Sequence, residues 1–361
     1  MSLFIEPKPG ILDIALYEGG QSSLPGHVAP LKLSSNESPF GPPPSAVSAM
    51  AEAATMAHRY PNTDHASLRA AIGEVHGLDP RRIICGVGSD EIITLLCQAY
   101  AGPGDEVLYP EHGFGMYRIS ALAAGARPVT APEVDRVVDT QAILDAVTPR
   151  TRLIFIANPA NPTGTMLPLS AFEDLAAALP ETCLLVLDGA YVEFAEGYDG
   201  GARLVEARDN VVMTRTFSKV YGLGGVRVGF GYAPRPVIEV LTRIRGPFNL
   251  SNIALAGAEA AVRDVKWVAE ALRVNAAERA RLTGGLRQLG IACDESHANF
   301  VLARFADEAE ADAADAHLKS QGIIVRAPKS YGLPQCLRIT VGRPQDNDRV
   351  LDALTAFRGV A

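Results

Sequence analysis

Between residues 82 and 215 the chain repeats one pattern, a short and almost uninterrupted apolar run followed by a stretch with helical spacing. The runs fall at residues 82–85, 106–109, 152–157, 183–188 and 211–215. A strand with one wet face alternates apolar and polar residues. A run such as Leu184-Leu185-Val186-Leu187 is apolar on both faces and needs cover above and below. The pattern therefore predicts an α/β fold: a mostly parallel central sheet with helices on both faces. The intervening helices are expected from the Gly86-Val87-Gly88-Ser89 turn to about Tyr100, over 114–124, and over 170–179. The last carries a capping-box signature, Ser170 at N-cap and Glu173 at N3. Upstream, helices are expected over 44–57, opened by Ser45 after three prolines, and over 67–76.

With 361 residues there is room for two domains. The texture changes after Pro247. Residues 252–289 read as one long helical stretch, and a βαβ-like tail follows, with strands at 300–303, 323–326 and 337–341 around a helix at 307–320. The expected division is an N-terminal arm, 1–40, packing with the small domain; a large domain, 41–250; and a smaller α/β C-terminal domain, 251–361. Hydrophobic residues at 48 % and charged residues at 20 % exclude a disordered chain. The net charge of −8 argues against a nucleic-acid scaffold, which needs a basic face. Five widely spaced cysteines without a CxxC pair suggest neither a disulfide framework nor a zinc site, and no histidine pattern suggests a metal. No apolar stretch approaches 18 residues and no apolar leader opens the chain, so a cytoplasmic protein is expected.

Four strand ends carry residues that suggest chemistry. Ligands of a parallel sheet bind outside its carboxyl ends. Asp188 closes the run at 184–187, with Tyr191 just beyond, and is placed to meet a cation; the plain alternative is a helix N-cap. Gly86-Val87-Gly88-Ser89-Asp90 turns from strand to helix, a natural anion site; a simple glycine turn capped by Ser89 explains it equally. It lacks the third glycine of a dinucleotide fingerprint. The two Asn-Pro steps in Asn158-Pro159-Ala160-Asn161-Pro162 make a stiff turn that presents Asn161. Thr216-Phe217-Ser218-Lys219, with Arg227 eight residues after the lysine, combines two hydroxyls, two cations and an apolar, glycine-rich setting. That suits a phosphate clamp beside a reactive amine, the alternative being a solvated surface lysine.

Taken in order, Asn161, Asp188, Tyr191, Ser218, Lys219 and Arg227 resemble the fold-type I aminotransferases that use pyridoxal 5′-phosphate. Within that group the chain looks most like the histidinol-phosphate aminotransferases. That likeness rests on Leu33-Ser34-Ser35-Asn36-Glu37-Ser38-Pro39-Phe40-Gly41-Pro42, Arg59-Tyr60-Pro61, Gly246-Pro247-Phe248-Asn249, Leu337-Arg338-Ile339-Thr340-Val341-Gly342 and Asn347-Asp348-Arg349. The sequence departs from the family at Val87, where asparagine is common, at Gly189, where glutamate is common, and at Phe114, where tyrosine often stands.

The resemblance implies roles. Lys219 would hold the cofactor covalently and then move the substrate's Cα proton. Asp188 would pair with the pyridine nitrogen, and Phe114 would stack on the ring. Tyr191 and Asn161 would bond its phenolic oxygen. Ser89, Asp90, Thr216, Ser218 and Arg227 would hold the phosphate, helped by Tyr60 from the other subunit of a homodimer. Arg338 would anchor a carboxylate or phosphate, with Arg326, Tyr17, Asn36 and Asn249 around the substrate. The implied substrates are histidinol phosphate with glutamate and 2-oxoglutarate, and no metal. An aromatic amino-acid aminotransferase and a threonine-phosphate decarboxylase are the alternatives within the same architecture.

Overall fold

The computed structural model describes residues 5–17 and 19–359. Its centre is a seven-stranded sheet. In chain order the strands are β1 (Ile83–Gly86), β2 (Glu106–Pro110), β3 (Arg127–Ala131), β4 (Thr151–Ala157), β5 (Leu184–Asp188), β6 (Val211–Thr216) and β7 (Gly229–Tyr232). In space the order is β1-β7-β6-β5-β4-β2-β3. All neighbours run parallel except β7, which is antiparallel to both β1 and β6. The mostly parallel sheet expected from the apolar runs is present, and the alternation of side chains sorts them into two cores. Leu185, Leu187 and Met213 pack under the helices Ala66–His76, Leu169–Ala178 and Asn252–Arg263. Val186, Val212 and Phe155 pack under Gly88–Tyr100, Gly115–Ala124 and Arg235–Ile244.

Two strands escape the apolar-run criterion. β3 is a half-exposed edge strand containing Pro128, and β7 spaces its two aromatic residues with glycines. Neither offers an uninterrupted apolar signal.

Four local expectations are corrected. The 170–179 helix is Leu169–Ala178, and Ser170 does not cap it. Pro168 already supplies the turn into the helix, so Ser170 falls inside the first turn. The first helix is Pro44–Ala54, entered through prolines, with Pro44 at its first turn. Ser45 Oγ donates instead to Asp264 Oδ2 at 2.8 Å. The 252–289 stretch is two helices, Asn252–Arg263 and Val265–Gln288. Asp264 leaves helical geometry between them and accepts the Trp267 N–H at 3.2 Å, capping the second. The tail is not a βαβ unit in one sheet. Phe300–Arg304 pairs antiparallel with Cys336–Thr340, whereas Ile323–Ile324 pairs parallel with Leu31–Lys32 of the N-terminal segment. Leu31–Lys32 takes up the free edge of that short strand, and a single bridge, Arg326 to Arg338, ties it to the antiparallel pair.

Candidate active site

The carboxyl ends of β1, β4, β5 and β6 and the amino end of β7 lie along one edge of the sheet, and a cavity of about 290 Å³ opens there. Asp188, the last residue of β5, forms its floor and is 3 % exposed. Its carboxylate accepts from Tyr117 Oη at 2.7 Å, from Thr214 Oγ1 at 3.2 Å and from the Ala190 N–H at 3.2 Å. Burial pushes the carboxyl up, and these three donors oppose it. No cation is paired with it among the described residues.

Lys219 enters from the loop after β6. Among the described residues its Nζ reaches only the Ser35 carbonyl, at 3.4 Å, and it stands 5.6 Å from the centre of the Tyr191 ring. Burial, reinforced by the Arg338 charge, pulls the ammonium down from 10.5 to about 8. Tyr191 Oη accepts from Asn36 Nδ2 at 2.8 Å, and burial raises its phenol. Arg338, on the antiparallel strand Cys336–Thr340, closes the opposite wall at 7 % exposure. It donates to Asn161 Oδ1 at 2.5 Å and to the Ser34 carbonyl at 2.9 Å, and its guanidinium carbon lies 5.3 Å from the centre of the Phe300 ring. Its Nε is buried without a hydrogen-bond partner among the described residues.

At the other end Arg227 donates to Asp90 Oδ2 at 2.8 Å and to Ser218 Oγ at 3.3 Å, and Thr216 Oγ1 lies 3.0 Å from Ser218 Oγ. Ser89 lines the same end, inside the first turn of Gly88–Tyr100 rather than at its N-cap. The fit is tight: a Cβ on Gly88 would meet Arg227 Nη2 at 2.5 Å, and one on Gly229 would meet the Ser89 nitrogen at 2.3 Å. Phe114 lines the rim, edge-on to Tyr117. Tyr17 and Arg326 complete the mouth, where Arg326 Nη1 donates to the Gly19 carbonyl at 3.0 Å.

One cavity thus gathers fourteen of the sixteen residues expected from the sequence: Tyr17, Asn36, Ser89, Asp90, Phe114, Asn161, Asp188, Tyr191, Thr216, Ser218, Lys219, Arg227, Arg326 and Arg338. Tyr60 does not line it; its ring is 82 % exposed and stacks on Phe248 at 4.5 Å. Asn249 also lies elsewhere, donating to Glu91 Oε2 at 2.7 Å and accepting from Arg245. Glu91 draws it beneath the β1 turn instead of into the cavity. Tyr117, Thr214, Ser35 and Tyr331 were not anticipated. Thr214 had a legible signal: it shares a strand face with Thr216, so two hydroxyls point to one side of an otherwise apolar run. Tyr117, Ser35 and Tyr331 depend on contacts distant in sequence.

The family model for aminotransferase class I and II matches residues 29–354. The chain belongs to this aminotransferase family. It is 73 % identical over 357 residues to a histidinol-phosphate aminotransferase of Jannaschia sp. (strain CCS1), covering 99 % of each chain. It is 68 % identical to the histidinol-phosphate aminotransferase of Roseobacter denitrificans, again over 99 % of each. Among solved structures it is similar to the histidinol-phosphate aminotransferase of Sinorhizobium meliloti in complex with pyridoxal-5′-phosphate. The TM-score is 0.91, with 31 % identity and full coverage of both chains. The fold-type I architecture expected of an aminotransferase is therefore the one this chain has.

Proposed function

We infer that this aminotransferase uses pyridoxal 5′-phosphate to move an amino group from L-histidinol phosphate to 2-oxoglutarate, giving imidazole acetol phosphate and L-glutamate. The observation that carries the reading is the meeting, in one cavity, of a half-buried amine without a carboxylate partner and a buried carboxylate without a cation among the described residues, beside a hydroxyl–guanidinium end. Near-full-length relatives named for this reaction support the substrate.

The residues fit the cofactor. A pyridinium N–H would supply the positive partner that Asp188 lacks. Backbone N–H groups at the start of Gly88–Tyr100, with Thr216, Ser218 and Arg227, suit a phosphate. The crowding at Gly88 and Gly229 leaves space for backbone contact and none for a side chain. When bound, the cofactor supplies an aldehyde carbon for amines and a ring that withdraws electrons from the substrate's Cα. Asp188 would hold a proton on the ring nitrogen. Tyr191, steadied by Asn36, and Asn161 present hydrogen-bonding groups beside the Lys219 amine. Lys219 Nζ, already lowered to about 8, takes the proton from Cα as a general base. Arg338 receives the carboxylate of glutamate or the phosphate of histidinol phosphate, and its unpartnered Nε gives it capacity for one more bond. Arg326 and Tyr17 stand at the mouth for the larger anion.

The proposed active unit is a homodimer in which the exposed Tyr60 reaches the partner's phosphate end. The proposed division is into arm, large domain and small domain, supported by a separate apolar cluster joining Leu33 to residues 282–354. A cytoplasmic setting is likewise proposed; no helix among the described residues is long and apolar enough to cross a membrane.

The deciding experiment is a substrate panel on purified, cofactor-loaded protein: histidinol phosphate, phenylalanine and threonine phosphate as donors, with 2-oxoglutarate. Histidinol phosphate should give the highest kcat/KM. Arg326→Ala should lower it while sparing phenylalanine. A preference for phenylalanine in the parent chain, or carbon dioxide release from threonine phosphate, would overturn the substrate assignment.

A further inference from the structure

The opposite face of the sheet carries a second polar cluster that the steps above do not use. Arg215 lies between Thr214 and Thr216 on β6, so strand alternation sends it away from the cavity. There its Nη1 donates to His76 Nδ1 at 3.3 Å and its Nη2 to the Asp199 carbonyl at 2.6 Å. The Glu193 carboxylate stands 3.8 Å from Nη1, with 6 % of its side chain exposed and neither oxygen in a hydrogen bond among the described residues. Beyond the imidazole, Tyr221 Oη lies 3.2 Å from His76 Nε2. A guanidinium can only donate, so His76 Nδ1 accepts. A neutral ring then carries its proton on Nε2, facing Tyr221. Burial keeps the ring neutral, pulling His76 down to about 3.

The place of these residues in the chain gives the cluster its meaning. Glu193 is two residues from Tyr191, Arg215 precedes Thr216, and Tyr221 is two residues after Lys219. The Lys219 loop is tight. Gly222 N–H donates to the Lys219 carbonyl and Leu223 N–H to the Phe217 carbonyl, both at 3.0 Å. The Phe217 and Tyr221 rings pack 4.8 Å apart. One largely buried chain of an ion pair and two hydrogen bonds therefore joins the turn that carries Tyr191 to the loop that carries Lys219. The ionisable groups facing Glu193 are Arg215 from β6 and Tyr221 from the loop. The helix Val265–Gln288 shares a small cavity with Phe194 through Ala271 and Asn275, neither of which titrates.

We propose that Glu193, Arg215, His76 and Tyr221 are positioning residues for the reacting amine, fixing how far Lys219 Nζ stands from Tyr191 and how completely water is kept from it. The proposal rests on Lys219 as the reacting group of the function inferred above, but its test needs neither substrate nor cofactor. The readout is the pH dependence of Lys219 acetylation in cofactor-free protein, followed by peptide mass spectrometry. In the parent chain the amine should titrate near pH 8. Tyr221→Phe keeps the ring and removes the hydroxyl tether. Its midpoint should rise by about half a pH unit or more, because a looser loop lets water reach the ammonium. Glu193→Gln should move it in the same direction. Arg215→Lys should lie closer to the parent than Arg215→Met. In the loaded enzyme, Tyr221→Phe should lower kcat about tenfold with KM for the donor within about twofold, the signature of misplaced chemistry rather than lost binding. Midpoints of Tyr221→Phe and Glu193→Gln that coincide with the parent would overturn the proposal. A shifted midpoint in a protein that fails the substrate panel would overturn the substrate assignment and leave the positioning of the Lys219 amine standing.

Discussion

The two ends of the cavity hold their charges in opposite ways. At one end Arg227 and Asp90 lie 2.8 Å apart, each side chain 41 % exposed, so each charge has both a partner and water. At the other end Asp188 and Arg338 are buried and Lys219 is half-buried, and their hydrogen bonds go to carbonyls, amides and hydroxyls rather than to opposite charges. A solvated pair costs little to keep ready. Buried, unmatched charges drift toward neutrality, which is the direction seen for Lys219, Asp188 and Arg338. The open end is thus a preformed anion clamp. The buried end is incomplete by itself, and cofactor and substrate supply the charges it lacks.

That contrast can be broken most forcefully at Lys219. Lys219→Ala should lower transamination by about 10³-fold or more, since both the covalent link and the base are lost. Borohydride reduction should then leave no mass increment on the peptide, while cofactor still binds. Retained activity would refute the role of the buried end. Next in size, Asp188→Asn should reduce kcat by about 10²–10³-fold, because an amide cannot balance a ring cation. An unchanged kcat would mean that the buried carboxylate does not face the ring. At the open end Arg227→Gln should weaken cofactor affinity by about tenfold, the worth of a charged hydrogen bond in a half-solvated setting, while kcat at saturating cofactor stays near the parent. Equilibrium dialysis separates the two quantities.

The smallest effect concerns stability. Burial lifts the Glu193 carboxyl from 4.5 to about 7. Between those pH values the unfolded chain releases the proton and the folded chain keeps it, so stability falls as pH rises through that window and then levels. Glu193→Gln lacks this loss. Its thermal midpoint should gain on the parent from pH 4.5 to 7 and hold a constant lead, of about a few degrees, above that. A lead that does not vary with pH would remove Glu193 as an ionisable partner of Arg215.

The sheet was legible because both-face burial leaves uninterrupted apolar runs, and the site was legible where such runs end in a polar residue, as at Asp188 and Thr216. β7 was not, because Gly229 and Gly231 interrupt its apolar residues. Asn249 was misplaced because short sequence blocks carry no direction: Glu91 and Arg245 hold it away from the cavity. The tail has the local pattern of a βαβ unit, and only a partner some 290 residues upstream, Leu31–Lys32, explains where Ile323–Ile324 goes. Tyr117 and the His76 contacts of the Arg215 cluster are illegible for the same reason, since each joins residues separated by 71 or more positions.

The reversed direction of β7 has a consequence for the cation at the open end. A strand entering from the same side as its neighbours begins at the edge remote from the cavity. Arg227 stands two residues before β7. Had that strand run parallel, the guanidinium would have been delivered on the order of 10 Å away, at the wrong rim of the sheet. By running against the others, β7 brings its beginning to the place where they end, so residues on either side of the β6–β7 connection, Lys219 and Arg227, serve one cavity. The orientation of four residues thereby couples the reactive amine and the anion clamp to a single loop, and any change in that loop's length would separate them.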